Sequence, residues 1–301
     1  MKVAVTGANG MLGGEAVAQL AGHHQVLALG LGPGRPPTDG AYQWVEADLG
    51  DGVSVEAALR AFAPQAVLHA GAVTDVDGCE KEPVTAWRVN VGGTEQVARS
   101  CRALGARLVY VSTDYVFDGA AGPYGEDDVP NPRGVYSQSK MAGEWAALSI
   151  APDSAVARVA VVYSGRPTAR PTFATQVVDK LRRGEVVKAF DDQFTSTTLA
   201  ASGAAMCLEL LLEHAYRGVL HVSDETVMDR VDFANRVART FGLEGRIEGV
   251  KTASVKLPAP RPLKGGLKVS RAKELLRNKP LGIEEALARF RQEFAARLPN
   301  G

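Results

Sequence analysis

The sequence predicts an α/β chain: a doubly wound parallel sheet followed by a smaller C-terminal α/β unit. Three observations predict it. Short apolar, β-branched runs alternate with amphipathic stretches through the first half, as in a parallel sheet covered on both faces. Glycines 7, 10 and 13 separate the first such run from the first helical stretch. The second half turns to long helical stretches around a loop rich in proline and glycine, KLPAPRPLKGG (256–266).

In order, KVAVT (2–6) reads as a buried strand and GGEAVAQLAG (13–22) as a helix with Ala16, Val17 and Leu20 on one face. QVLALG (25–30) and the WVEA stretch read as strands, and VSVEAALRAFA (53–63) as a helix. The strand AVLHAGA (66–72) precedes the helix VGGTEQVARSCRALG (91–105). The strand RLVYVST (107–113), the helix YSQSKMAGEWAALS (136–149) and the strand SAVARVAVVY (154–163) close the alternating half. Beyond it, LAASGAAMCLELLLEH (199–214), RVDFANRVARTFG (230–242) and GIEEALARFRQEFAARL (282–298) read as helices, and GVLHVSD (218–224) as a strand.

The chain has 301 residues, long enough for a large buried core. Lys+Arg and Asp+Glu number 34 each, so formal net charge is zero. No global basic field draws nucleic acid or a membrane surface. Cys79, Cys101 and Cys207 are widely spaced and form no C-x-x-C pair, which fits buried thiols in a reducing compartment. Thr6, Asn9 and several glycines interrupt any signal-peptide core, and no apolar run is long enough to span a bilayer. The expectation is a cytoplasmic protein.

The G-x-x-G-x-x-G turn of Gly7, Gly10 and Gly13 lies between a strand and a helix. One glycine there permits the tight bend, one lets backbone approach a pyrophosphate, and one packs helix on sheet. The helix N-terminus then presents free N–H groups to the phosphates. Gly7, Asn9, Gly10, Met11, Leu12 and Gly13 are thus the expected contacts of a dinucleotide. An acid after the second strand would favour NAD, but Val26 to Thr38 contains no Asp or Glu, and its only charge is Arg35. A guanidinium pairs with a 2′-phosphate. NADP is therefore the expected cofactor and NAD the alternative, with a solvated Arg35 as the other reading of that residue. Asp48, with Leu49 beside it, either accepts from the adenine amino group or caps its strand end. The expected division is a Rossmann-type nucleotide-binding domain over 1–165, with 190–215 returning to it, and a mainly substrate-binding domain over 166–301.

YSQSK places Tyr136 and Lys140 four residues apart, on one helix face. A nearby ammonium stabilises phenolate, which suits a tyrosine for acid–base work near neutral pH. The strand before it ends in Ser112 and Thr113, hydroxyls suited to a substrate carbonyl at the ligand-binding end of such a sheet. Asp114 suits sugar hydroxyls or a cap, while Tyr115 and Phe117 suit pocket wall or core.

With these residues in place, the chain resembles the extended short-chain dehydrogenase/reductase superfamily. Within it, STDYVFDG, PYGEDDVPNPRGVYSQSKMAGE, DDQFTSTTLAA and APRPLKGGLKVSRAKELL resemble the dTDP-4-dehydrorhamnose reductase family. The resemblance implies that Tyr136 donates a proton to a C4 ketone oxygen as nicotinamide delivers hydride to the carbon. It implies that Lys140 lowers the tyrosine's pKa and holds the nicotinamide ribose, and that Thr113 orients the carbonyl. Asn90 would support the lysine and a water relay. Ala70, Gly71 and Ala72 would lie against the cofactor, and Thr74 would face the sugar with Asp114, Tyr115, Phe173 and Gln193.

The chain departs from the family pattern on the substrate side. Val161 stands where a tryptophan is usual, Thr172-Phe173 where Asn-Phe is common, and DQFTSTT replaces D-Q-x-G-x-P-T. The loss of an indole removes stacking area and an N–H donor. Glu15 and Glu185 fall near places where some members bind magnesium at a dimer contact; both read here as solvated charges, and no metal is expected. A homodimer stays open. The expected reaction is NADPH-dependent reduction of the C4 ketone of a nucleotide-linked deoxysugar, most simply dTDP-4-dehydro-L-rhamnose. A different keto sugar nucleotide is the first alternative. A non-catalytic NADP-binding subunit, like the regulatory β subunit of methionine adenosyltransferase, is the second.

Overall fold

A computed structural model describes residues 1–32, 40–167 and 171–296. The chain starts with β1 (Lys2–Thr6), α1 (Met11–Leu20), β2 (Gln25–Gly30), β3 (Gln43–Glu46), α2 (Gly52–Phe62) and β4 (Ala66–His69). Two short helices, α3 (Val76–Lys81) and α4 (Pro83–Trp87), lead through a π-helical turn (Arg88–Gly92) into α5 (Gly93–Leu104). β5 (Arg107–Thr113), α6 (Val135–Ile150) and β6 (Ser154–Val159) follow. The next stretch holds β7 (Val162–Tyr163), α7 (Phe173–Arg182), β8 (Val187–Phe190), β9 (Phe194–Ser196), β10 (Thr198–Leu199) and α8 (Ala200–Leu212). β11 (Gly218–His221), β12 (Val227–Asp229), α9 (Arg230–Phe241), β13 (Ile247–Val250), α10 (Ser270–Leu275) and α11 (Ile283–Ala295) complete it.

Seven strands form one sheet in the order β3-β2-β1-β4-β5-β6-β11, and every pairing in it is parallel. This is the Rossmann-type doubly wound α/β fold expected from the sequence. Strand alternation sorts side chains to two faces. Val3 and Val5 join a core with Ala16, Val17 and Leu20 of α1 and with Met206 and Leu210 of α8. Ala4 faces the opposite core, with Val55 and Leu59 of α2, Val97 of α5 and Ala147 of α6. Both faces of the central strands are dry, which explains their near-continuous apolar runs. Residues 200–212 form α8, which lies against α1, β4, β5 and β6.

A second apolar cluster joins α7, α9 and α11 through Val177, Val178, Phe233, Val237, Phe290 and Phe294. Tyr163 stacks edge-on against Phe233 and Phe290 at its centre. Two small parallel pairs, β7–β10 and β8–β13, and the antiparallel pair β9–β12 surround it.

Several expected elements differ. The run 154–163 is not one strand: Thr198 bonds its hydroxyl to both Ala160 N and Ala160 O, and β7 pairs with β10 instead of continuing in the main sheet. The strand expected over 66–72 ends at His69, because Gly71 leaves the sheet to pack against Gly7. The short helices α3 and α4, between β4 and α5, were not expected; Asp75 caps α3 by accepting from Gly78 N, and Pro83 opens α4.

A buried ion pair ties α6 to the sheet. Arg158 of β6 donates from Nε and Nη2 to the two carboxylate oxygens of Glu144, at 2.9 and 2.7 Å. Both side chains are almost fully enclosed. Glu144→Ala strands the guanidinium in the core, so unfolding free energy should fall by about 3–5 kcal/mol, measured by urea denaturation.

Candidate active site

The strand order reverses between β1 and β4, and ligands of such sheets bind in the crevice outside that point. Two glycines meet there. Gly7 has φ +65°, and a Cβ on it would lie 2.6 Å from Gly71 Cα and 2.7 Å from Gly71 N. A Cβ on Gly13 would collide with the Gly7 carbonyl, so α1 rests directly on the turn. Gly10 N donates to Gly7 O at 2.9 Å, and Gly10 occupies the N-cap of α1 with no side-chain cap. Bare backbone and uncapped first-turn amides are what a pyrophosphate needs. Asn9 donates to Leu31 O and packs under Gly30, while Leu12 is buried and Met11 half-buried at the start of α1. Leu49 packs over Gly71 and Gly93. Asp48 accepts from Gly50 N at 2.8 Å, so one carboxylate oxygen does cap its turn. Arg35 lies outside the described residues.

The floor of the crevice is a closed hydrogen-bond chain. Thr94 donates to Asn90 O at 2.7 Å, which leaves its oxygen to accept from His69 Nε2 at 3.0 Å. His69 Nδ1 is then the acceptor for Thr6, at 2.6 Å, and Thr6 in turn accepts from Gly71 N at 3.2 Å. The network assigns His69 a neutral, Nε2-protonated ring. Burial, reinforced by the Lys140 ammonium, lowers its pKa to about 3. Burial likewise lowers His221 to about 3. An unfolded histidine titrates near 6.5. Between pH 6.5 and 3 the unfolded chain therefore binds more protons than the folded one. Stability should fall on acidification through that window by up to about 1.4 kcal/mol per pH unit for each histidine. Urea midpoints at pH 7 and pH 5 check this.

Thr113 ends β5 and Tyr136 opens α6. Ser137 accepts from Gly134 N at 3.0 Å, and Glu80 accepts from Val135 N at 2.7 Å, so α3 caps the helix that carries the tyrosine. The Thr113 hydroxyl lies against that of Tyr136 and favours its ionised form, but burial outweighs this and pushes the phenol above its ordinary range. Tyr115 meets the Tyr136 ring edge-on, with centroids 6.0 Å apart. Lys140 is buried, donates to Val111 O at 2.7 Å, and sits 4.1 Å from the Tyr110 ring centroid. Burial lowers its pKa to about 7.

This corrects one expectation. The pair shares a helix face, but the lysine turns inward to the sheet, and the phenol is not acidified. Asn90 also differs from its expected role. Its side chain bonds Val73 N and O and Ser139 Oγ, which clamps the loop after β4 to α6. It is the backbone of Asn90, within the π-helical turn, that serves the Thr94–His69 chain.

Beside Tyr136 lies a pocket lined by Asp114, Tyr115, Val161, Gln193, Phe194, Thr195, Arg230, Pro262 and Gly265. Asp114, Tyr115, Val161 and Gln193 thus come together as expected. Asp114 accepts from Thr113 at 3.2 Å and Thr195 at 3.1 Å, and burial raises its carboxyl to about 6. Gln193 donates to Thr252 at 2.9 Å. Phe173 packs in the second cluster with Phe233, beneath Arg230. Thr74 is exposed and does not line this pocket, and Ala70 and Ala72 flank Gly71 half-buried. Thr195, Arg230 and Pro262 were missed by sequence reasoning, and none of them stands in a pattern that marks it as a pocket residue. Glu15 is not solvated: it is buried, paired to Arg166 at 2.9 Å, and raised to about 7 by burial. Glu185 pairs with Arg183 at the surface.

Known proteins share this architecture. A family model described as RmlD substrate binding domain matches residues 1–296. A dTDP-4-dehydrorhamnose reductase of Mycobacterium tuberculosis is 38% identical over 269 residues, 86% of this chain and 82% of that protein. The chain belongs to the dTDP-4-dehydrorhamnose reductase family. Another member-like relative, methionine adenosyltransferase 2 subunit beta of Xenopus tropicalis, is 31% identical over 245 residues, 79% of this chain and 72% of that protein. The crystal structure of a Bacillus anthracis dTDP-4-dehydrorhamnose reductase in complex with NADP superposes with a TM-score of 0.83 at 26% identity, covering 97% of this chain and 99% of that one. Among the described residues no helix is long and apolar enough to cross a membrane, and no group of three or more metal-ligating side chains converges.

Proposed function

We propose that this chain is an NADPH-dependent oxidoreductase that reduces the C4 ketone of a nucleotide-linked deoxysugar, with dTDP-4-dehydro-L-rhamnose as the simplest substrate. One observation carries the reading: the Thr113 hydroxyl lies against that of Tyr136, whose ring meets the pocket-lining Tyr115, at the same end of the parallel sheet as the glycine crevice. The division of labour follows. Residues 1–165, with 190–215 returning, hold the cofactor, and residues 166–301 mainly hold the sugar.

The crevice fits a dinucleotide, because Gly7, Gly10 and Gly13 expose backbone where any Cβ would intrude on the turn or the anion. Bound there, NADPH supplies a hydride to the sugar carbonyl carbon. Tyr136, kept protonated through the neutral range by burial, gives its proton to the carbonyl oxygen. Thr113 now donates to Asp114 and must turn that proton to the ketone, so the two hydroxyls together stabilise the developing alkoxide. Lys140 would donate to the cofactor's ribose with a proton that the Val111 carbonyl does not take.

NADPH oxidation followed across a panel of 4-keto sugar nucleotides, with NADH as the comparison, tests the reading. The kinship with a methionine adenosyltransferase subunit motivates a second reading, a binding role without turnover. The complete Thr113, Tyr136 and Lys140 set supports the enzyme.

A further inference from the structure

Arg230 opens α9, behind the Asp229 N-cap, and lines the same pocket as Asp114. Its guanidinium lies over the Phe173 ring, 5.6 Å from the centroid, and against the Tyr115 hydroxyl. Its Nε is buried and has no hydrogen-bond partner among the described residues. A buried N–H left unmade is costly, and one of a charged group more so. Nε is therefore a donor without an acceptor on a side chain that lines the pocket. Asp114, in the same pocket, keeps lone pairs beyond those used by Thr113 and Thr195.

We propose that Arg230 is a specificity-determining residue that donates from Nε to an oxygen of the substrate's sugar ring, with Asp114 accepting from a neighbouring hydroxyl. This rests on the keto-sugar reading above. A donor and an acceptor side by side suit two hydroxyls of a neutral hexose. They do not suit a diphosphate, whose charge would lie beside the Asp114 carboxylate.

Arg230→Met keeps an apolar stem against Phe173 and removes the donors. dTDP and dTDP-L-rhamnose are titrated calorimetrically into wild type and variant, each with NADP present. In wild type the sugar should strengthen binding over dTDP alone; equal binding of the two would overturn the inference. The variant should bind dTDP as wild type does and dTDP-L-rhamnose at least about tenfold more weakly. Arg230→Lys, which keeps charge without Nε, should restore only part. Equal weakening of both ligands would move Arg230 to the diphosphate and overturn the inference, as would unchanged dTDP-L-rhamnose affinity. NADP affinity reports whether the variant is folded; if it is not, Arg230→Gln takes its place under the same criteria. Wild type that binds neither ligand would overturn the keto-sugar reading and this inference with it.

Discussion

Tyr136→Phe should lower kcat by about 10²–10⁴-fold, the usual contribution of a positioned general acid. The ring stays: phenylalanine keeps the edge contact with Tyr115 and the place beside Thr113. NADPH affinity should therefore remain within about twofold of wild type. The pH profile of the wild type carries a second signature. Because burial holds the phenol above its ordinary range, the proton needed for reduction is present throughout neutral pH. The rate should not fall through loss of this proton until well above pH 10, the ordinary tyrosine value. Steady-state rates with saturating NADPH, from pH 6 to the alkaline limit of folding, check both statements.

Gly7→Ala should all but abolish cofactor binding and also weaken the fold. Alanine at φ +65° is strained, and the new methyl would meet backbone atoms of Gly71 that no rotamer change can move. The turn must open, and opening it parts β1 from β4 at the crevice. Unfolding free energy should drop by about 1–3 kcal/mol. NADPH affinity should drop by at least about tenfold, because the displaced amides can no longer converge on the phosphates. Fluorescence titration of NADPH, beside urea denaturation, separates the two losses. Wild-type affinity in this variant would mean that the crevice is not where the cofactor sits.

The fold was legible where one physical constraint acted alone. β1, β2 and β5 have the expected limits because both sheet faces exclude water, so nearly all their interior positions are apolar. The glycine turn was legible because three missing side chains have no cheaper explanation than a close approach. Legibility failed where a distant residue decides. Nothing in the run 154–163 announces that Thr198 will take over the backbone of Ala160. Nothing in the YSQSK spacing says whether the lysine ammonium turns to the phenol or to Val111 O, since a four-carbon stem reaches both. The clamp that Asn90 makes was not legible, because its partner Val73 lies 17 residues away in sequence. Glu15 looked solvated because charge on a helix usually is; its burial depends on Arg166, on a loop far along the chain. Pocket residues Thr195, Arg230 and Pro262 come from three separate segments, and only the fold brings them to Asp114.

The central claim is a reaction: reducing equivalents pass from NADPH to C4 of a sugar while Tyr136 protonates its oxygen. The most direct measurement uses NADPH carrying deuterium at the transferred position, with dTDP-4-dehydro-L-rhamnose as acceptor and NMR of the isolated nucleotide sugar. The account predicts deuterium at C4 of the product, one per NADPH consumed, and almost none with Tyr136→Phe in the same time. An unlabelled sugar and unconsumed NADPH, here and with every other 4-keto sugar nucleotide, would contradict it.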